Sequence, residues 1–268
     1  MKTGRPQQYQ YINDKNWLYD QYIVKKMSTC QIANHIGSDP AAIRYWLNKY
    51  DIPVRDFSLS HVHNREDLVI DNREVIDGNM LGDGSLLMRN RKTGISVPSY
   101  SHSACVFEHV KYVGEFLWKG DVNRRIYKYT NSCGHKSFKF TTANSSIFST
   151  YYSRWYPNFV KHVPKDLVLT PVVLLHWFLG DGTCSYKTGR PKEQRRLVFC
   201  SESFSRKDNG WLLTYMTTKF GLNGTLIKNN GKGTDCRIAL RQSSIDDFFS
   251  IIGPPPVASL AYRWKVMR

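Results

Sequence analysis

The chain of 268 residues has an ordinary hydrophobic content of 41%, but its 38 Lys and Arg against 22 Asp and Glu give a formal charge of +16. Such an excess points to a polyanionic partner, and the surplus of +3 in residues 1–60, +5 in 61–171 and +8 in 172–268 belongs mainly to the body rather than to a tail. The longest apolar stretch, Val168 to Leu179, contains Thr170, Pro171 and His176 and is too short to span a bilayer, so no membrane role is expected.

Residues 1–15 are polar, and a short helical pattern runs from Trp17 to Val24. The segment from Ser28 to Ile36 sets Ile32, Ala33 and Ile36 on one helical face and ends at Gly37. Asp39 and Pro40 suit the cap and first turn of a second helix, in which Ile43, Trp46, Leu47 and Tyr50 share a face. Two short helices joined through a glycine turn predict a helix-turn-helix, with Arg44, Tyr45 and Asn48 on the face that would read DNA. Residues 51–66 serve as a linker.

Two stretches then end in the same Leu-Gly-Asp-Gly, each after an apolar run: Val75 to Gly84 and Leu174 to Gly182. Asp83 and Asp181 are 98 residues apart, so the pattern predicts a duplicated half-domain with one acid at the end of one helix in each half. After the first motif come a hairpin (Ser85–Arg89 with Ile95–Val97, extended by Tyr100 to Phe107), a helix around Val110–Leu117, strands at Tyr127–Tyr129 and Ser137–Thr141, and a helix at Ile147–Trp155. The second half repeats this with strands at Ser185–Lys187 and Leu197–Phe199, a helix through Leu212–Phe220, a hairpin of Thr225–Ile227 with Arg237–Leu240, and a helix at Ile245–Ile252. Each half therefore reads α-β-β-α-β-β-α, of α+β class. Arg89, Arg91, Lys128 and Lys139 in one half, and Lys187, Arg195, Lys228 and Arg237 in the other, place cations at comparable strand positions, as expected of a basic face along a duplex.

Two carboxylates at adjacent helix ends are oxygen ligands of the kind Mg²⁺ prefers, and phosphodiester hydrolysis needs such a metal. His102, Cys105, His109, Cys133 and His135 cluster in sequence without the spacing of a zinc finger. The six cysteines show no framework spacing and no secretory leader is evident, so a reduced intracellular setting is expected.

The paired motifs, their near-100-residue spacing and the repeated element order resemble the single-chain LAGLIDADG homing endonucleases over residues 65–268. The resemblance implies a pseudo-two-fold saddle of two half-domains, 61–171 and 172–268, behind a small all-α segment at 1–60. It implies a monomeric, site-specific endonuclease cutting both strands of a long double-stranded DNA site. Asp83 and Asp181 would bind Mg²⁺, with Mn²⁺ as a substitute, aided by the backbone at Gly82 and Gly180. Gly78, Gly82 and Gly180 would let the motif helices approach, although His176 stands where the family more often has glycine. Lys139, and more weakly Arg241, match the basic residue that the family brings to the phosphate. Two alternatives stay open: a maturase acting on intron RNA, and a non-cleaving DNA-binding regulator, against which the presence of both acids argues.

Overall fold

The computed structural model describes residues 11–54, 72–88, 97–130, 134–186, 194–228 and 236–267. The chain divides into two compact units, Met1–Asn64 and Arg65–Arg268.

In the first unit, the Asp14 carboxylate accepts from the amides of Asn16 and Trp17 and starts α1 (Lys15–Tyr19), which continues into a π turn, Asp20–Val24. Helix α2 (Thr29–Ile36) opens on a reciprocal cap: the Gln31 amide donates to Ser28 Oγ at 3.1 Å, and the Ser28 amide to Gln31 Oε1 at 2.8 Å. It ends at Gly37, whose φ of 68° is left-handed. Asp39 then caps α3 (Pro40–Lys49) by accepting from the Ala41 amide at 2.6 Å. Leu18, Ile32, Ala33, Ile43 and Leu47 are fully buried together, so the three helices share a small core of their own. Arg44, Tyr45 and Asn48 stay exposed on α3.

The second unit repeats one pattern twice. Its first half runs α4 (Arg73–Leu81), β1 (Gly84–Leu87), β2 (Ser99–Ala104), α5 (Phe107–Leu117), β3 (Ile126–Thr130), β4 (Lys136–Thr141) and α6 (Ile147–Trp155). The other half runs α7 (Pro171–Asp181), β5 (Gly182–Tyr186), β6 (Arg195–Phe199), α8 (Arg206–Phe220), β7 (Gly224–Lys228), β8 (Cys236–Leu240) and α9 (Ile245–Ile252), followed by a 3-10 segment, Ala258–Met267. Both sheets are antiparallel and ordered alike, β1-β2-β4-β3 and β5-β6-β8-β7. The predicted α-β-β-α-β-β-α repeat is therefore present in each half.

One strand differs from expectation. β1 pairs with Ser99–Ala104, so the return strand begins beyond Ile95–Val97. Pro98 explains the shift at Val97, because proline lacks the N–H that a ladder position needs; Ile95 and Ser96 lie outside the described residues.

Strand alternation decides which face each sheet buries. Tyr100 and Phe140 of the first sheet meet Val110, Val113 and Leu117 of α5, while Leu197, Phe199 and Ile238 of the second join Leu212 and Met216 of α8 and Phe248 of α9 in one continuous core. The alternate positions of the first sheet are mainly polar: Ser101 and Ser103 on β2, Ser137, Lys139 and Thr141 on β4, and Tyr127 and Tyr129 on β3.

Candidate active site

The two motif helices lie side by side, and the contact is between backbones. A Cβ built on Gly180 would stand 2.9 Å from the Asp83 amide nitrogen, and one on Gly82 would stand 3.1 Å from Gly180 Cα. Any side chain at either glycine would push the helix ends apart, so these residues bring the two acids together. A Cβ on Gly78 would fall 2.7 Å from His176 Cβ and from the Val173 carbonyl. Gly78 thus supplies the space that His176 takes, which is how the helices accommodate a bulky residue at one of the crossing positions. The buried His176 ring stacks on Tyr112 at 5.6 Å, and its Nδ1 lies 3.3 Å from Asn79 Nδ2.

Each acid occupies the junction where its helix ends and an edge strand begins. Asp83 is exposed and Asp181 half-buried, yet desolvation is the largest influence on both and raises both carboxyls, Asp181 to about 7 with the Asp83 charge adding to the effect. Water reaches Asp83, but protein surrounds it on the other sides. Burial disfavours the charged form of both carboxyls, so an added positive charge at this site would be stabilising.

Lys161 and Arg263 are the cations whose charge acts on both acids. Lys161 Nζ donates to the Gly84 carbonyl at 3.2 Å, and Arg263 Nη1 to the carbonyls of Phe178 and Gly182 at 3.0 and 3.1 Å. Burial lowers Lys161 to about 8, against the pull of Asp181 and then Asp83. Glu202, salt-bridged to Arg237, adds negative field at Asp181.

Neither expected basic residue has this position. Lys139 lies mid-strand on β4, facing Ser103 and Tyr127 across the ladder, and Arg241 is exposed just after β8. Lys161 and Arg263 come instead from the segments that follow α6 and α9, 78 and 82 residues after their acids. That matched separation was the available signal, and strand-based reasoning passes over it.

The strand cations divide. Lys128 and Lys228 are exposed. Arg195 turns to α9, where its Nη1 donates to Asp246 at 2.6 Å, and Arg237 Nε donates to Glu202 at 2.9 Å. Both guanidiniums are therefore already engaged by carboxylates, while Arg196, on the opposite side of β6 from Arg195, is exposed and was overlooked. Arg89, Arg91 and Lys187 lie outside the described residues.

A third motif acid, Asp77, has a different task. It is buried, accepts from Arg154 Nη1 at 3.1 Å and Trp155 Nε1 at 2.9 Å, and fastens α4 to α6. His102 and His109 are buried with ring centroids 4.8 Å apart, and burial lowers both below the usual imidazole range. Among the described residues, no three His, Cys, Asp or Glu side chains form a metal cluster, and Cys133 lies outside them.

The donor set fits a hard divalent cation. It consists of two carboxylates with raised pKa, whose charge a cation would relieve, beside the backbone of Gly82 and Gly180.

The family model described as the LAGLIDADG DNA endonuclease family matches residues 73–248. Uncharacterized protein MJ1098 of Methanocaldococcus jannaschii is 26% identical over 262 residues, 93% of this chain and 94% of that protein. The cytochrome b mRNA maturase bI2 of Saccharomyces cerevisiae is 27% identical over 203 residues, covering 70% of this chain but only 46% of the maturase. The structure of the homing endonuclease I-WcaI bound to its DNA recognition sequence shares the fold, with a TM-score of 0.61 at 17% identity over 79% of this chain and 93% of that one. With the family model covering well over half of its length, the chain belongs to the LAGLIDADG DNA endonuclease family.

Proposed function

We propose that this protein is a site-specific endonuclease that cuts both strands of a DNA duplex with a divalent metal, Mg²⁺ or in its place Mn²⁺. The observation that carries the reading is the pair Asp83 and Asp181, set side by side by glycine contacts, each half supplying one acid and one cation.

The closeness of the acids selects a groove. The minor groove of B-DNA is about 6 Å wide and the major groove about 12 Å, so helix ends in backbone contact suit two phosphates facing across the minor groove. Lys161 and Arg263 would orient the phosphates and offset the charge that builds on them as the bond to oxygen breaks. A bound divalent cation would supply neutralisation of phosphate charge and a more acidic water. Asp83 would hold such a cation for one strand and Asp181 for the other, with backbone oxygens at Gly82 and Gly180. The polar face of the first sheet, with Lys139, and the exposed Arg196 of the second are suited to phosphates on either side, whereas Lys128 and Lys228 stand on the core-facing sides of their strands and are exposed toward the strand ends. The amino-terminal unit, through Arg44, Tyr45 and Asn48, would add DNA contacts outside the cut site. A monomer suffices, because one chain carries both acids.

The likeness to an mRNA maturase supports a second reading, in which the basic surface assists intron RNA. The acid pair favours cleavage, because a purely structural RNA role gives no reason to gather two repelling carboxyls. The test is to incubate a random-sequence duplex library with the protein and Mg²⁺ and sequence the new ends. Recurrent paired ends that vanish in the Asp83→Asn, Asp181→Asn double variant are expected; cutting by that variant would defeat the proposal.

A further inference from the structure

Phe159 is 81% exposed, and Val160 beside it 58%. Phe159 also has a φ of 63°, and Asn158 before it a φ of 56°, both in the left-handed region that favours glycine. This turn is fastened rather than loose. The Phe159 amide donates to the Tyr156 carbonyl at 3.1 Å, and the His162 amide to the carbonyl of the fully buried Trp155 at 2.8 Å. An exposed phenyl ring and a left-handed backbone both oppose folding, so their combination points to work done outside the fold.

The turn's position says what that work is. Lys161, two residues on, bonds to the Gly84 carbonyl next to Asp83. Two residues of chain span at most about 7 Å, so the turn stands no farther from the Gly84 carbonyl than that span plus the length of the Lys161 side chain, on the order of one or two nucleotides along a strand. The second half differs: Tyr262, 50% exposed, directly precedes Arg263 and accepts from its Nε at 3.4 Å, so the exposed apolar pair here is Phe159 with Val160. Two side chains offer too little area for a folded protein partner, which covers about 800 Å² per side. They match the apolar residues that minor-groove proteins insert between base steps.

We propose that Phe159, backed by Val160, is an apolar wedge that enters the minor groove beside the cleaved phosphate and unstacks a base step. The wedge rests on the reading of the acid pair as the cleavage site. It would make sequence selection depend on how easily the central steps deform, with no hydrogen bond to a base.

The test uses the full chain, with Ca²⁺ in place of Mg²⁺ to keep DNA intact. Duplexes that the wild-type protein retains from a random-sequence pool are resynthesised with 2-aminopurine at each central position, where unstacking raises fluorescence. The wild type and Phe159→Trp should bind tightly and raise the signal. Phe159→Gly, which relieves the left-handed strain, should melt no lower than the wild type, bind about tenfold or more weakly and leave the signal flat. If Phe159→Gly binds and brightens the duplex as the wild type does, the wedge is wrong while the endonuclease reading stands. If the wild type retains no duplex, the endonuclease reading fails and the wedge falls with it.

Discussion

Lys161 donates to the carbonyl oxygen of Gly84 at 3.2 Å, tying the segment that closes the first half to the residue just after that half's acid. Arg263 makes the corresponding bond to Gly182 in the second half. Each half thus carries a complete acid-and-cation set, although Lys and Arg give the two sets different strengths. Lys161 can change protonation near neutral pH, whereas a guanidinium cannot.

Replacing either cation should slow cutting more than it weakens binding. Lys161→Met and Arg263→Met should each reduce the cleavage rate by about 10²–10³, with dissociation constants within a few-fold of wild type. Nicked and linear products from a supercoiled plasmid carrying the site would check this, and an equal loss of binding and rate would assign both residues to docking alone.

Asp181 gives opposite pH trends for stability and activity. Its carboxyl is raised to about 7 in the fold, so between about pH 4 and pH 7 folding takes up a proton and stability falls as pH rises. Without metal, the melting temperature of the wild type should therefore drop across this range relative to Asp181→Asn, and added Mg²⁺ should reverse the drop. Cleavage needs the ionised carboxylate and should rise through the same range, with its midpoint moving lower as Mg²⁺ increases. A metal-free difference between wild type and Asn variant that does not vary with pH would mean that Asp181 titrates as an ordinary surface acid.

Two glycines should respond to alanine with opposite signs. At Gly78 the new Cβ would meet His176 Cβ and the Val173 carbonyl at 2.7 Å, so Gly78→Ala should destabilise by about 1–3 kcal/mol. At Gly210, inside α8, nothing lies within 4 Å, and Gly210→Ala should stabilise by about 0.8–1 kcal/mol through helix propensity. Urea denaturation of the two variants checks both, and a neutral Gly78→Ala would show that the motif helices can slide apart.

The amino-terminal unit has a core separate from the acids, so a chain starting near Val62 should cut at the same phosphates at saturating protein. It should bind more weakly and leave a shorter footprint, by the loss of contacts worth about 1–3 kcal/mol each. Footprints compared between the two chains test this; identical footprints and affinities would make the unit a packing or partner-binding element.

Much of this was written locally in the chain. Ser28, Gln31, Gly37, Asp39 and Pro40 set helix ends through caps a few residues away, and apolar spacing alone bounded α6 and α9. The acids were legible because one four-residue signature occurs twice. Lys161 and Arg263 were not, because their role depends on a chain return from some 80 residues away that no local pattern encodes. Arg195 was misplaced for a related reason: charge pattern alone does not tell that Asp246 stands opposite it.

The central claim is that each acid serves one strand, and single substitutions test it most directly. On a supercoiled plasmid carrying one recovered site, with Mg²⁺, Asp83→Asn and Asp181→Asn should each stall at the nicked circle or reach it far ahead of linear product. Strand-specific sequencing of the nicks should place them on opposite strands for the two variants, and the double variant should neither nick nor linearise while still binding. Linear product from the double variant at the wild-type rate, or nicks on the same strand from both single variants, would contradict the account.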